Sequence, residues 1–354
     1  MTATAPNVTG EPLPSAIDPR RTRVGWQGVT LDLPPDWTVS GFSLDKMDGY
    51  VRVDSPGNGG MTVQVRWLNA TRPRSGSQSL YSLTTQWMRR TPRVVVGAGT
   101  TPDLRDNLDR MMKDAEKQAK KARRAFESSA KPEHTEGEDG ERQAVNFKWQ
   151  GDGRAQGKIW YCSQCQRVVI AQVVGLQKDA AAISTIGALL FQSIRCHSRT
   201  DCDLWAIFGL ELEVPTDFLL KAHSLTSGHM HLEFRRRAER LLVDRWGLAN
   251  VTLKRFSLAD WVANNAVARV SRLAAQPELE RAPHGAVIRS GGSPLMLRLR
   301  MLPEIITAPR TFPALLDVAA WECKEANRIM LLQALRNRRS AGLIPAVLQS
   351  CRCH

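Results

Sequence analysis

No stretch of the 354 residues approaches the ~18 to 20 uninterrupted apolar residues that a helix needs to cross a bilayer, so no membrane span is expected. The opening, MTATAPNVTGEPLPSAIDPRRTRVG, also lacks the apolar run of a secretory leader, which points to a cytoplasmic chain. Catalytic signatures are missing too. There is no G-x-S-x-G, no H-E-x-x-H and no paired-carboxylate spacing, and the glycines at Gly57 to Gly60 and at Gly291-Gly292 fit neither a Walker loop nor a dinucleotide fingerprint, so they read as turns. These absences point away from an enzyme. Acidic residues are in deficit, 35 against 49 Lys and Arg, and the resulting charge of +14 favours acidic partners without choosing among nucleic acid, an anionic membrane surface and an acidic protein face. Seven cysteines without an export signal read as thiols or metal ligands rather than disulfides.

The sequence does contain an internal repeat. Gly28-Val29-Thr30-Leu31-Asp32-Leu33-Pro34-Pro35-Asp36-Trp37 lies over Gly209-Leu210-Glu211-Leu212-Glu213-Val214-Pro215-Thr216-Asp217-Phe218 without a gap, at an offset of 181. Trp160-Tyr161-Cys162, Arg167 and Gln172 match Trp321-Glu322-Cys323, Arg328 and Gln333 at an offset of 161. Gln192-Ser193-Ile194-Arg195-Cys196-His197 faces Gln349-Ser350-Cys351-Arg352-Cys353-His354, with five identities in six. Three blocks in the same order predict two diverged copies of one α+β unit, each an antiparallel sheet flanked by helices. At 42% hydrophobic residues, each copy has the apolar content for a core of its own. Residues 1–22, rich in Pro, Thr and small side chains, are expected to form a flexible tail; the units are 23–199 and 200–354.

Within one unit, Val29, Leu31 and Leu33 alternate with polar residues as in a half-buried strand, and Pro34-Pro35 stops it because proline has no amide for a ladder. Met61 to Trp67 is a second strand, reached through a glycine-rich turn at Ser55 to Gly60 whose counterpart is the basic tip Arg235-Arg236-Arg237-Ala238-Glu239. Helices are expected at Ser79 to Arg89 and at Asp103 to about Ser128, the latter apolar at Leu104, Leu108, Met111, Met112, Ala115, Ala119 and Ala122. Lys131 to Arg142 reads as an exposed loop. Gln143 to Trp149, Lys158 to Cys162 and Gln166 to Val174 form a closing meander, and a helix at about Ala180 to Gln192 ends the unit.

A strand ending in Leu33-Pro34-x-x-Trp37, a β meander and a last helix running into Ser193-x-Arg195 together resemble the PsbP-like superfamily. That group includes the extrinsic photosystem protein, the Ran-binding Mog-type factor and bacterial DcrB-like proteins. The resemblance spans about 24–197 and 204–354. It implies an antiparallel sheet flanked by helices in each unit and a class dominated by binding and assembly.

Chemistry concentrates at the cysteines. Cys162-Ser163-Gln164-Cys165 is a C-x2-C where two strands turn back, the form of a zinc knuckle, with Cys196 and His197 as further candidate ligands and Cys202 a little beyond. In the second copy Ala326 replaces the partner of Cys165, while Cys351 joins Cys323, Cys353 and His354. Structural zinc at each cluster stands beside plain core thiols and, for Cys162 and Cys165, a redox dithiol. Lys113, Lys117, Lys120, Lys121, Arg123 and Arg124, with Arg235, Arg236 and Arg237, are candidate contacts for phosphates or an acidic partner; the alternative is a solvated helix face and a charged hairpin end. His229 and His231 share one face of a strand, with Asp48 and Tyr50 as counterparts, and read as surface. Trp37, Trp67, Trp160, Trp246 and Trp321 are expected at repeated core positions. The function expected from all this is a non-catalytic binding or scaffold protein with an unknown protein partner; a basic nucleic-acid-associated protein is the alternative.

Overall fold

The structure, a computed structural model, describes residues 21–43, 48–57, 60–70, 102–137, 140–226, 228–265, 274–275, 286–292, 315–337 and 342–352, with only the backbone course at 133–137, 140–143, 274–275 and 287–292. It is dominated by antiparallel sheets with a few helices. A small sheet is built from two hairpins: β1 (Thr22–Trp26) with β2 (Val29–Leu33), and β10 (Cys202–Ile207) with β11 (Leu210–Pro215). Each hairpin turns on two residues of positive φ, Gln27-Gly28 and Phe208-Gly209. Such turns match the twist of the strands they join, and glycine at the second place removes one of the two steric penalties. β1 pairs with β10 at Gly25 and Ala206, giving the order β11-β10-β1-β2.

The first large sheet takes β3 (Thr38–Phe42), β4 (Gly49–Asp54), β5 (Thr62–Asn69), β6 (Glu127–Gly137), β7 (Gly140–Gln150), β8 (Arg154–Cys162) and β9 (Arg167–Gly175), in the order β3-β4-β5-β9-β8-β7-β6. The second takes β12 (Leu219–Thr226), β13 (His229–Arg236), β14 (Glu239–Gly247), β15 (Ala274–Ala275), β16 (Val287–Gly292), β17 (Leu315–Cys323) and β18 (Arg328–Arg336), in the order β12-β13-β14-β18-β17-β16-β15. Both have seven strands in one pattern of connection.

Apolar runs in the central strands β9 and β18, RVVIAQVVG and RIMLLQALR, mean that both faces must be covered. α1 (Leu104–Lys121) covers one face of the first sheet, burying Leu104, Leu108 and Met112 on Phe147, Trp149 and Ile159. α3 (Ala249–Thr252) and α4 (Leu258–Asn265) cover the corresponding face of the second, with Trp261 and Val262 against Val318 and Leu331. The inner faces, α2 (Ala180–Ser193), α5 (Leu343–Ser350) and the small sheet share one continuous core that holds Trp26, Trp67, Trp205, Phe234 and Trp321.

Several expectations are corrected. α1 starts where expected, with the Asp103 carboxylate accepting from the Asp106 amide at 2.9 Å, but it ends at Lys121 because Arg123 turns left-handed (φ 54°) and β6 begins at Glu127. The polar run Lys131 to Arg142 is the distal part of the β6–β7 hairpin, paired from Glu127 and Gln150 out to Gly137 and Gly140; an edge hairpin does not need apolar alternation. Gly291 and Gly292 end strand β16. Trp246 is not the counterpart of Trp67. Trp67 pairs with Val169 and Trp246 with Ile329, so by the offset of 161 the residue matching Trp67 is Arg245. Most of the expected tail (1–20) and the helix expected at Ser79 to Arg89 lie outside the described residues, as do Asn58 and Gly59 of the first hairpin tip.

Candidate metal centre

The turn between β8 and β9 carries Ser163-Gln164-Cys165-Gln166, with Gln166 left-handed (φ 54°) and its side chain bonded to the Tyr161 hydroxyl at 2.7 Å. This curl turns the Cys165 sulfur back toward Cys162, the last residue of β8. The chain leaving α2 supplies the other side: Ile194 caps the helix, and the Arg195 and Thr30 backbones pair at 2.8 and 2.9 Å, which sets Cys196 and His197 against the turn. Arg167 ties the pieces together, donating to the Gln27 carbonyl at 2.9 Å and to the Cys196 carbonyl at 3.0 Å.

The sulfurs of Cys162, Cys165 and Cys196 and a ring nitrogen of His197 all lie within 4.8 Å of one another. His197 Nδ1 is 3.5 Å from the Cys162 sulfur and 3.5 Å from the Cys196 sulfur. Bonds of ~2.3 Å to sulfur and ~2.05 Å to nitrogen at the tetrahedral angle put ligand atoms about 3.6 Å apart for sulfur and nitrogen and about 3.8 Å for two sulfurs. The Cys3His donor set and the two nitrogen–sulfur separations therefore fit zinc. All four positions come from the protein and leave none open for a reactant, as in a structural site.

Without a metal the three thiols compete for one negative charge. Hydrogen bonds from Cys165 and Cys196 hold the Cys162 thiol far below its ordinary range. The bond to Cys162 pushes Cys165 far up and, with burial, pushes Cys196 up to about 11. Trp160 is buried in the core, as expected. Arg167 is not recognisable as a support of the cluster until the strands are paired.

Of the remaining sequence candidates, Cys202 opens β10 and is not in the cluster. Cys323 ends β17 at the place Cys162 has on β8, and Cys351 caps α5; both are buried in the common core, while Cys353 and His354 lie outside the described residues. Ala326, at the place of Cys165, packs on that core.

Lys113, Lys117, Lys120, Lys121, Arg123 and Arg124 are all exposed on or just after α1, Lys120 paired with Glu116 and Arg124 with Asp152, each at 2.8 Å. The hairpin arginines are engaged within the chain. Arg235 pairs with Glu233 at 2.7 Å, and Arg236 pairs with Glu239 and Asp217 while lying over the Phe218 ring; Arg237 makes the turn. His229 and His231 are not simple surface groups, since both bond the buried Asp244.

No family model matches the sequence, and no curated protein matches it either. Among solved structures, the chain is similar to the solution structure of cyanobacterial PsbP (CyanoP) from Synechocystis sp. PCC 6803, at 12% identity and a TM-score of 0.32, over 53% of this chain and 99% of that one.

Proposed function

We propose that the chain is a non-catalytic binding or scaffold protein made of two copies of one PsbP-like α+β unit, the first pinned by structural zinc on Cys162, Cys165, Cys196 and His197. The observation that carries the zinc assignment is the convergence of three sulfurs and one nitrogen within 4.8 Å of one another, with His197 Nδ1 3.5 Å from two of the sulfurs. The duplication is supported by contacts that recur at the sequence offsets. Ser193 Oγ accepts the Asp32 amide and Ser350 Oγ the Glu213 amide; the Arg195 backbone bridges Thr30 and the Arg352 backbone bridges Glu211. Two similar units with different outer faces suit a protein that joins two partners.

Metal content of the chain purified without chelator tests the zinc. About one zinc per chain is expected, lost in Cys165→Ser and Cys196→Ser together with on the order of 10 °C of melting temperature. A reduced chain that neither carries nor takes up zinc overturns the assignment. A tagged pull-down with and without nuclease tests the scaffold. A stoichiometric protein surviving nuclease supports it. Retention of nucleic acid instead favours the second reading, in which the exposed lysines of α1 track phosphates.

A further inference from the structure

The two halves carry different charge at matched places beside their opening hairpins. In the first half Arg167, at the start of β9, donates to the Gln27 carbonyl of the β1–β2 turn, and the Trp67 indole bonds the Gln27 side chain at 3.3 Å. Asp203 of β10 stands against the same turn: a Cβ on Gly28 would lie 2.9 Å from its carboxylate oxygen. Burial raises the Asp203 pKa and the positive charge of Arg167 opposes that rise. One cation thus has one anion beside it. In the second half Arg328, matched to Arg167, opens β18 and donates to the Gly209 carbonyl at 2.8 Å, so close that a Cβ on Gly209 would be 2.6 Å from its guanidinium. Arg245, at the place of Trp67, donates to the Phe208 carbonyl of that turn. By the offset of 181 between the hairpins, the place of Asp203 is taken by Thr22.

Two guanidiniums therefore stand at the Phe208-Gly209 turn where the first half has one, and the matched carboxylate is gone. Arg245 is half-buried, and the Phe208 carbonyl is its one hydrogen-bond partner among the described residues. Burial and the positive charge of Arg328 push its pKa down to about 10, and no carboxylate of the described residues offsets them. A backbone carbonyl engages a donor without cancelling the charge, and a guanidinium has five N–H donors in a fork that matches the oxygens of an oxyanion. A phosphate group, with close to two negative charges, balances two adjacent guanidiniums, where a single carboxylate balances one. We propose that Arg245 and Arg328 form an oxyanion site in the second half that takes a phosphate group, free or on a small phosphorylated molecule, the bound anion standing in for the carboxylate that Asp203 supplies in the first half.

Calorimetric titration of the full chain at fixed ionic strength, with inorganic phosphate, glycerol phosphate and acetate in turn, tests it. Saturable binding of one phosphate per chain is expected, about ten-fold or more tighter than acetate, and the tighter of the two phosphates tells the free anion from an ester. Phosphate at ten times its dissociation constant should raise the melting temperature by about 2–4 °C. Arg245→Gln should weaken binding about ten-fold or more. So should Thr22→Asp, which puts a carboxylate at the place of Asp203 and leaves both arginines intact. Melting temperature without phosphate checks that the variants fold, and Thr22→Asp decides the matter if Arg245→Gln does not. Absence of saturable phosphate binding overturns the proposal, and so does acetate bound as tightly as phosphate. Binding left unchanged by either folded variant also overturns it, because the phosphate would then lie elsewhere, as on the exposed lysines of α1.

Discussion

Asp244 is buried, yet one of its carboxylate oxygens accepts from two imidazoles, His231 at 2.8 Å and His229 at 3.0 Å, and His229 stacks on Trp246 with ring centroids 3.8 Å apart. The hydrogen bond to Asp244, with the nearby charges of Asp244 and Glu233, raises the His231 pKa against the opposing effect of burial. Glu233 is itself paired with Arg235 and Arg240. A pKa raised on folding stabilises the fold fully below the unfolded value of about 6.5 and ceases to do so as pH rises through the folded value. His231→Asn is therefore expected to lower the melting temperature more at about pH 6 than at about pH 8.5, and equal losses at both would refute the coupling. The spacing of His229 and His231 is enough to put both on one face of a strand. Their partner comes from the neighbouring strand, and no spacing within β13 reveals which residue of β14 stands opposite. Cys162 and Cys165 were legible for the opposite reason: their geometry is set inside one turn.

At the scale of elements, the Ser-x-Arg ending of the last helix has a mechanical role in both halves. Ser193 accepts the Asp32 amide at 3.2 Å and can return its proton to the Asp32 carbonyl at 3.1 Å; Ser350 accepts the Glu213 amide at 2.9 Å and donates to Val347 at 2.8 Å. Each hydroxyl stitches a terminal helix to the second strand of the hairpin that opens its half. Ser193→Ala and Ser350→Ala are each expected to cost about 1 kcal/mol, measured by denaturant unfolding, with the midpoint shifting and the slope unchanged. If one serine proves neutral while the other does not, the two contacts are not equivalent. The helix at Ala180 to Gln192 and the central strand Gln166 to Val174 were readable because both are strongly apolar. The outer half of the β6–β7 hairpin was not, since its sequence is rich in charged residues and glycine and carries no apolar alternation. β1 and β10 were missed as well. Each is short and precedes the Gly that opens the matched block, so only the alternation of Val24 with Trp26 and of Trp205 with Ile207 marks them.

For the whole molecule, the joint between halves is made by β1 and β10, the two strands least marked in the sequence. β1 and β10 meet at Gly25 and Ala206, the Trp26 and Trp205 rings contact edge-to-face at 5.0 Å, and the core beneath draws on both large sheets. A Cβ on Gly25 would stand 2.6 Å from the Leu204 carbonyl oxygen, a backbone atom that cannot rotate away. Gly25→Val should therefore prise the two hairpins apart at a cost of about 1–3 kcal/mol. An apolar core shared across the joint also removes the separate units that two cores would provide, so each half loses part of its burial when the other unfolds. Calorimetry of the intact chain is expected to give one cooperative transition, with Gly25→Val lowering it or splitting off a second peak. Two transitions in the unmodified chain would mean that the shared core contributes little, and that the halves are joined through the small sheet as independent bodies.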